Sequence, residues 1–256
     1  RQHGRGKMDA RARLAALCDP GSFREIGKIA GTARYDENGD LQGVTPAPFL
    51  FGKATIGGRP IVATADDFTI RGGAADAGIS RKMVQAEKMA HELKLPIVKM
   101  IDGTGGGGSV KTLEQIGATY IPAVPGWGEV VRNLETVPVV ALALGPTAGL
   151  GAARAVASHY SIMVKGLSQI FAAGPAVVAA AGIGNGDGDQ VTDPRDKEAL
   201  GGADIHATNG VIDDAVASEA EAFARARHFL SFMPEHVGQH ARRAQCTDPA
   251  YRREEA

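Results

Sequence analysis

Short apolar runs that break off into glycine place the strongest constraint on this chain. Ile97-Val-Lys-Met-Ile101 runs into Asp102-Gly-Thr-Gly-Gly-Gly-Gly108, and 40 residues further on Val137-Pro-Val-Val-Ala-Leu-Ala-Leu144 runs into Gly145-Pro-Thr-Ala-Gly-Leu-Gly151. Strand, glycine turn, helix and next strand, repeated, read as an α/β chain whose loops at the strand ends carry the site. Glycine lets the main chain come close to a ligand or to another main chain. The 34 glycines in 256 residues are about twice the usual share of roughly 7%, and they follow no Gly-x-y period, so a collagen-like repeat is excluded.

The rest of the chain fits this frame. Residues 1–20 are basic and helix-like and close on the turn Asp19-Pro20-Gly21. Residues 49–56 and 59–65, joined by Gly57-Gly58, read as a β-hairpin. In 79–93, Met83, Ala86, Ala90 and Leu93 have helical spacing. A helical stretch ends near Leu134, a short helix is expected over 152–158, and a strand over 160–164. Residues 182–189, rich in glycine and aspartate, read as an exposed, mobile loop. Phe223, Ala226, Leu230 and Met233 mark one face of an amphipathic helix over 218–233, and a polar stretch follows from Gln239.

Charge and cysteine narrow the function classes. Lys+Arg 28 against Asp+Glu 29 gives a formal charge of -1, which argues against a general nucleic-acid or membrane-surface binder. Cys18 and Cys246 alone build neither a zinc ribbon nor a disulfide framework, so a reducing cytoplasm is the simplest home. The apolar runs fall short of the roughly 20 residues that span a bilayer. The chain opens on Arg1 rather than Met and is expected to be a piece of something longer.

The first glycine loop invites two nucleotide readings. Gly103, Gly105 and Gly108 satisfy G-x-G-x-x-G, a match close to automatic in so glycine-rich a run, and from Gly105 onward the loop reads as a P-loop with Val110 in place of the second glycine. A bland connector would not explain a second glycine loop at the same place in the next repeat. That second loop puts unpaired N–H groups at a helix start, which suits an oxygen that becomes negative during reaction. Chemistry of this kind needs no catalytic side chain, and no Ser/His/Asp grouping, carboxylate pair or metal-ligand cluster presents itself; Ser109, His159 and His206 read as turn or surface residues.

Six segments in succession, Asp19-Pro-Gly-Ser-Phe23, Asp67-Phe-Thr-Ile-Arg-Gly-Gly73, Asp102-Gly-Thr-Gly105, Gly145-Pro-Thr-Ala-Gly149, Phe171-Ala-Ala-Gly-Pro175 and Leu200-Gly-Gly-Ala-Asp-Ile-His206, resemble the carboxyltransferase (β) subunits of biotin-dependent acyl-CoA carboxylases. The resemblance implies a crotonase (ClpP)-like spiral of ββα units, with residues 1–238 as the N-terminal carboxyltransferase domain and 239–256 as a linker towards an absent C-terminal carboxyltransferase domain. It implies transfer of CO2 from carboxybiotin to the α-carbon of an acyl-CoA through an enolate, with the biotin borne by a carrier on another domain or subunit and ATP used only at a separate biotin carboxylase component. Gly149 and Leu150 fall where the family's Gly-Gly pair donates backbone N–H groups to the oxyanion. Leu150 keeps an amide but narrows the acyl pocket if its side chain points inward. Gly72, Gly73, Thr104, Gly105, Gly106 and Gly107 fall on the acyl-CoA side, Gly107 standing where many members have Arg, and Lys111 is placed near the CoA phosphates. The implied assembly is a homo-oligomer of dimers in a hexameric ring, located in the cytoplasm or, in a eukaryote, the mitochondrial matrix. Two other classes stay open: a crotonase-fold decarboxylase, hydrolase or isomerase of CoA thioesters without biotin, and a non-catalytic assembly module of a carboxylase complex.

Overall fold

The computed structural model describes residues 4, 6–73, 77–103, 126–174, 196–241, 245–248 and 251. In chain order the strands are β1 (Arg24–Glu25), β2 (Gly31–Tyr35), β3 (Leu41–Pro46), β4 (Phe49–Ile56), β5 (Arg59–Asp66), β6 (Ile97–Ile101), β7 (Val139–Ala143), β8 (Pro146–Ala148), β9 (Tyr160–Val164), β10 (Gln169–Phe171) and β11 (Asp214–Val216). The helices are α1 (Ala10–Leu17), α2 (Ala77–Leu93), α3 (Trp127–Thr136), α4 (Leu150–Val156), α5 (Lys197–Gly201), α6 (Ala203–Thr208) and α7 (Glu219–Ser231).

Among the described residues, seven strands form the central sheet in the order β1-β4-β5-β6-β7-β9-β11. β4 pairs antiparallel with β1 and with β5, and from β5 onward every pairing is parallel. β6 and β7 are buried along their whole length, which is why they read as unbroken apolar runs rather than as alternating ones. Side-chain alternation splits their contacts between two layers. Val98, Met100, Val140 and Leu142 face Leu14 of α1 and Phe223 of α7. On the other face, Ile97 and Val139 pack with Ala86 and Ala90 of α2, while Ile101 and Ala143 pack with Ala152 and Ala155 of α4.

The expected ββα spiral is visible where β7 is followed by the short β8 and then α4, and β9 by the short β10. β8 and β10 leave the main sheet and pair parallel with each other, Ala148 opposite Phe171. The predicted hairpin forms as β4 and β5, and the predicted helices and strands recur with shifted ends. The second glycine loop differs from expectation: it contains β8, and its helix begins at Leu150, two residues early. Gly149, at φ 57 and ψ -121, supplies the left-handed turn that lets strand pass to helix so abruptly. The exposed hairpin of β2 and β3 was not anticipated. The predicted loop at 182–189 lies outside the described residues. No helix of the described residues is long and apolar enough to cross a membrane.

Asp19 shows why its turn matters. Its carboxylate accepts from the Thr55 hydroxyl at 2.6 Å, Gly57 N–H at 2.8 Å and Gly58 N–H at 2.9 Å, tying the end of the α1 segment to the β4–β5 turn. Those bonds, the Thr55 hydroxyl first, hold its carboxyl below the usual carboxylate range. A group depressed in the folded state contributes stability above its unfolded value, about 3.9 for Asp, and loses that contribution as pH falls through the folded value. Asp19→Ala is therefore expected to lower the urea midpoint at pH 7 and to flatten its acid dependence below about pH 4; an unchanged acid limb would refute this role.

Candidate functional site

Parallel strands deliver their loops to one edge, the carboxyl ends of β5, β6 and β7. Three glycine turns meet there through their main chains. A Cβ placed on Gly73 would lie 2.7 Å from Asp102 O and 3.1 Å from the Gly103 Cα, and one on Gly103 would lie 2.9 Å from the Gly73 Cα and 3.0 Å from Gly72 O. A Cβ on Gly151 would lie 2.7 Å from Gly103 O. Separations this short exclude any side chain, so the glycines at 73, 103 and 151 are the condition for the three segments to touch.

The two residues expected to donate to an oxyanion are separated by the structure. Gly149 N–H donates to Phe171 O at 3.1 Å as the last rung of the β8–β10 ladder. Leu150 is the first residue of α4, where no side chain caps the helix and where an amide has no acceptor within the helix. Its side chain is half-buried. Gly72 and Gly73 lie in the 3-10 turn after β5, both at positive φ. Thr104, Gly105, Gly106, Gly107, Lys111 and Ser109 lie outside the described residues.

Beneath the glycine turns lies a set of charged side chains that sequence reasoning passed over. Asp66 ends β5 and Asp102 follows β6, and Asp102 N–H donates to Asp66 Oδ2 at 3.2 Å. The Asp102 carboxylate is fully buried and its Oδ2 is held by Arg13 Nη1 at 2.7 Å and Lys7 Nζ at 2.6 Å. Arg13 reaches further: its Nε donates to Glu219 Oε1 at 2.6 Å and its Nη2 to Leu144 O at 2.8 Å. One guanidinium thus joins the ends of β6 and β7 to the first turn of α7. Arg154, on α4, donates from Nη1 to both oxygens of Asp66 at 3.1 Å.

These groups are structural ions rather than an exposed acid–base pair. Burial pushes the Asp66 carboxyl above the ordinary carboxylate range, with the Arg154 guanidinium pulling the other way. Burial likewise lowers the Lys7 ammonium, against the pull of Asp102. Among the described residues Asp102 Oδ1 has no hydrogen-bond partner, and it faces the Cα of Gly145, where a Cβ would collide with it. The available signal was an Asp closing each of two apolar strands. Lys7 and Arg13 gave none, because a basic helical segment reads as a solvated face until its partners are known.

His159 and His206 also serve the backbone. His159 accepts from Val139 N–H through Nδ1 at 3.0 Å, which makes its Nε2 the donor to Leu134 O at 2.9 Å. His206 Nε2 lies 2.9 Å from Ile170 O, against β10. Among the described residues, no group of three His, Cys, Asp or Glu side chains is arranged to hold a metal ion.

The sequence and the fold have counterparts among known proteins. The carboxyl transferase domain matches residues 1–256. The methylmalonyl-CoA decarboxylase subunit alpha of Veillonella parvula is 30% identical over 239 residues, covering 91% of this chain and 43% of that protein. The propionyl-CoA carboxylase beta chain of Roseobacter denitrificans is 32% identical over 238 residues, covering 91% and 43%. Transcarboxylase 12S, solved as a hexamer assembly with methylmalonyl-coenzyme A and methylmalonic acid bound, superposes with a TM-score of 0.76 at 30% identity, covering 96% of this chain and 46% of that one. The beta subunit of P. aeruginosa geranyl-CoA carboxylase, 24% identical with a TM-score of 0.68, shares the fold. The chain spans less than half the length of these relatives.

Proposed function

The chain belongs to the carboxyl transferase domain family, and on that premise we propose that it is the acyl-CoA-binding part of a biotin-dependent carboxyltransferase, polarising the thioester while CO2 passes between carboxybiotin and the α-carbon. The observation that carries this reading is the meeting of the 72–73, 103 and 151 main chains beside the Leu150 amide. Loss of the α-proton moves negative charge onto the thioester oxygen, and a fixed N–H donor aimed at that oxygen is worth about 3 kcal/mol in the transition state.

The residues of this chain then divide by task. The Leu150 amide holds the oxyanion. Gly72 and Gly73 wall the acyl-CoA side, joined by the amides of Thr104, Gly105, Gly106 and Gly107, with Lys111 towards the CoA phosphates. The second donor of the pair that the resemblance implies is Gly149 N–H, which bonds Phe171 O in this structure. Asp66 and Asp102, beneath the glycine turns, are buried and paired. This fits a proton acceptor that arrives from outside the chain, and carboxybiotin, when bound, supplies both the CO2 and the ureido nitrogen that takes the proton. The biotin side is assigned to a C-terminal carboxyltransferase domain, the carrier and the ATP-using biotin carboxylase to further components, and the assembly to a hexameric ring. The cytoplasm or mitochondrial matrix is the proposed location, in keeping with bacterial and mitochondrial relatives.

Calorimetric titration of the chain with propionyl-CoA and methylmalonyl-CoA tests the reading directly. Saturable binding is expected, with a shift of the thioester carbonyl stretch to lower frequency in the infrared and with no binding of NAD or ATP. Absence of saturable acyl-CoA binding would overturn it. Fast decarboxylation of malonyl-CoA by this chain alone, without biotin, would replace it with the biotin-free reading.

A further inference from the structure

The Leu150 amide is useful only if α4 is held in one place, and the fold contains a device for that. Arg154 stands one helical turn beyond Leu150 on the same helix. Its Nη1 bonds both oxygens of Asp66 at 3.1 Å, and Asp66 Oδ2 accepts from Asp102 N–H at 3.2 Å. Both side chains are buried, and the Arg154 guanidinium carbon lies 5.5 Å from the centre of the Phe49 ring. Asp66 therefore links α4 to the residue that precedes Gly103, and Gly151 lies so near Gly103 O that a Cβ on it would sit 2.7 Å away.

We propose that Arg154 and Asp66 are positioning residues for thioester polarisation, a clamp that sets the Gly149–Gly151 turn against the Asp102–Gly103 main chain. The inference rests on the reading that the Leu150 amide faces the thioester oxygen. Its physical basis is the poor stabilising value of a buried ion pair. Two charges taken out of water cost so much that apolar side chains of similar volume often stabilise a fold as well or better. What the pair adds is position, since Arg154 Nη1 is shared between both Asp66 oxygens and so holds α4 at one distance from the end of β5, and small displacements of a catalytic group cost large factors in rate.

The two roles come apart in the double variant Asp66→Leu/Arg154→Met, which replaces the pair by apolar side chains. The measurements are the thermal midpoint, propionyl-CoA affinity, and the infrared stretch of propionyl-CoA carrying 13C at the thioester carbonyl. The clamp predicts a folded variant that still binds the CoA thioester and has lost most of the carbonyl shift seen with the unaltered chain. A folded double variant with the full shift overturns the proposal. Asp66→Asn, which keeps an acceptor for Asp102 N–H and removes the charge facing Arg154, covers the case in which the double variant does not fold: a reduced shift supports the clamp and a full one rejects it. If the unaltered chain binds propionyl-CoA with no carbonyl shift, the polarisation reading itself fails and the clamp falls with it, a result distinct from failure in the variants alone.

Discussion

Leu150→Pro is expected to leave the fold intact and to remove thioester polarisation. Position 150 is the first of α4, where proline is favoured because its missing N–H has no helical acceptor to lose and its fixed φ suits the helix. The preceding residue is also compatible. Proline disfavours helical backbone before it, and Gly149 at φ 57 and ψ -121 is extended in the mirror sense that only glycine adopts with ease. The substitution therefore deletes one backbone donor and little else. If that donor holds the oxyanion, turnover in the assembled carboxyltransferase falls by about 10²–10³-fold, the carbonyl shift is lost, and the thermal midpoint stays close to that of the parent. Leu150→Ala, which keeps the N–H, is the control and should retain the shift. A Leu150→Pro enzyme with parental turnover would remove Leu150 from the mechanism.

Arg13→Met is expected to be the most destabilising single change in the described residues. The guanidinium touches Asp102, Glu219 and Leu144 O at once, and its side chain is 2% exposed. Methionine replaces the aliphatic stem but not the guanidinium and leaves two carboxylates without that cation in a dry interior, although Lys7 still faces Asp102 and Met8 N–H still faces Glu219 at 2.8 Å. Breaking a buried pair on one side costs about 3–5 kcal/mol, read as a lower urea midpoint at constant m-value. Arg13→Lys should recover only part of the loss, because one ammonium cannot bond three acceptors that lie in different directions. A midpoint unchanged in Arg13→Met would show that the hub carries no net stability.

Legibility in the sequence followed the range of the interactions involved. β4, Gly57-Gly58 and β5 were readable because a hairpin is local, and β6 and β7 because a strand buried on both faces must be apolar along its length. The exposed β2–β3 hairpin escaped because its residues carry no continuous apolar face. At the site, the resemblance placed Gly149 and Leu150 together as donors, yet one rung of a short ladder to β10 divides them. That rung joins residues 149 and 171, and no local pattern announces it.

From its order of residues alone, the chain determines that it alternates strands and helices and where its glycine turns fall, and its resemblance to a family implies the spiral. The positions that must lack a Cβ are properties of single residues, and their identity survives in the sequence. Tertiary structure decided that the Gly149 amide bonds Phe171 O and which cations are buried. Lys7 and Arg13 became interior ions because Asp102 lies 89 positions from Arg13 and Glu219 lies 206. A charge is affordable inside a fold only when its partner is already there, and the partner is known only once the chain has closed.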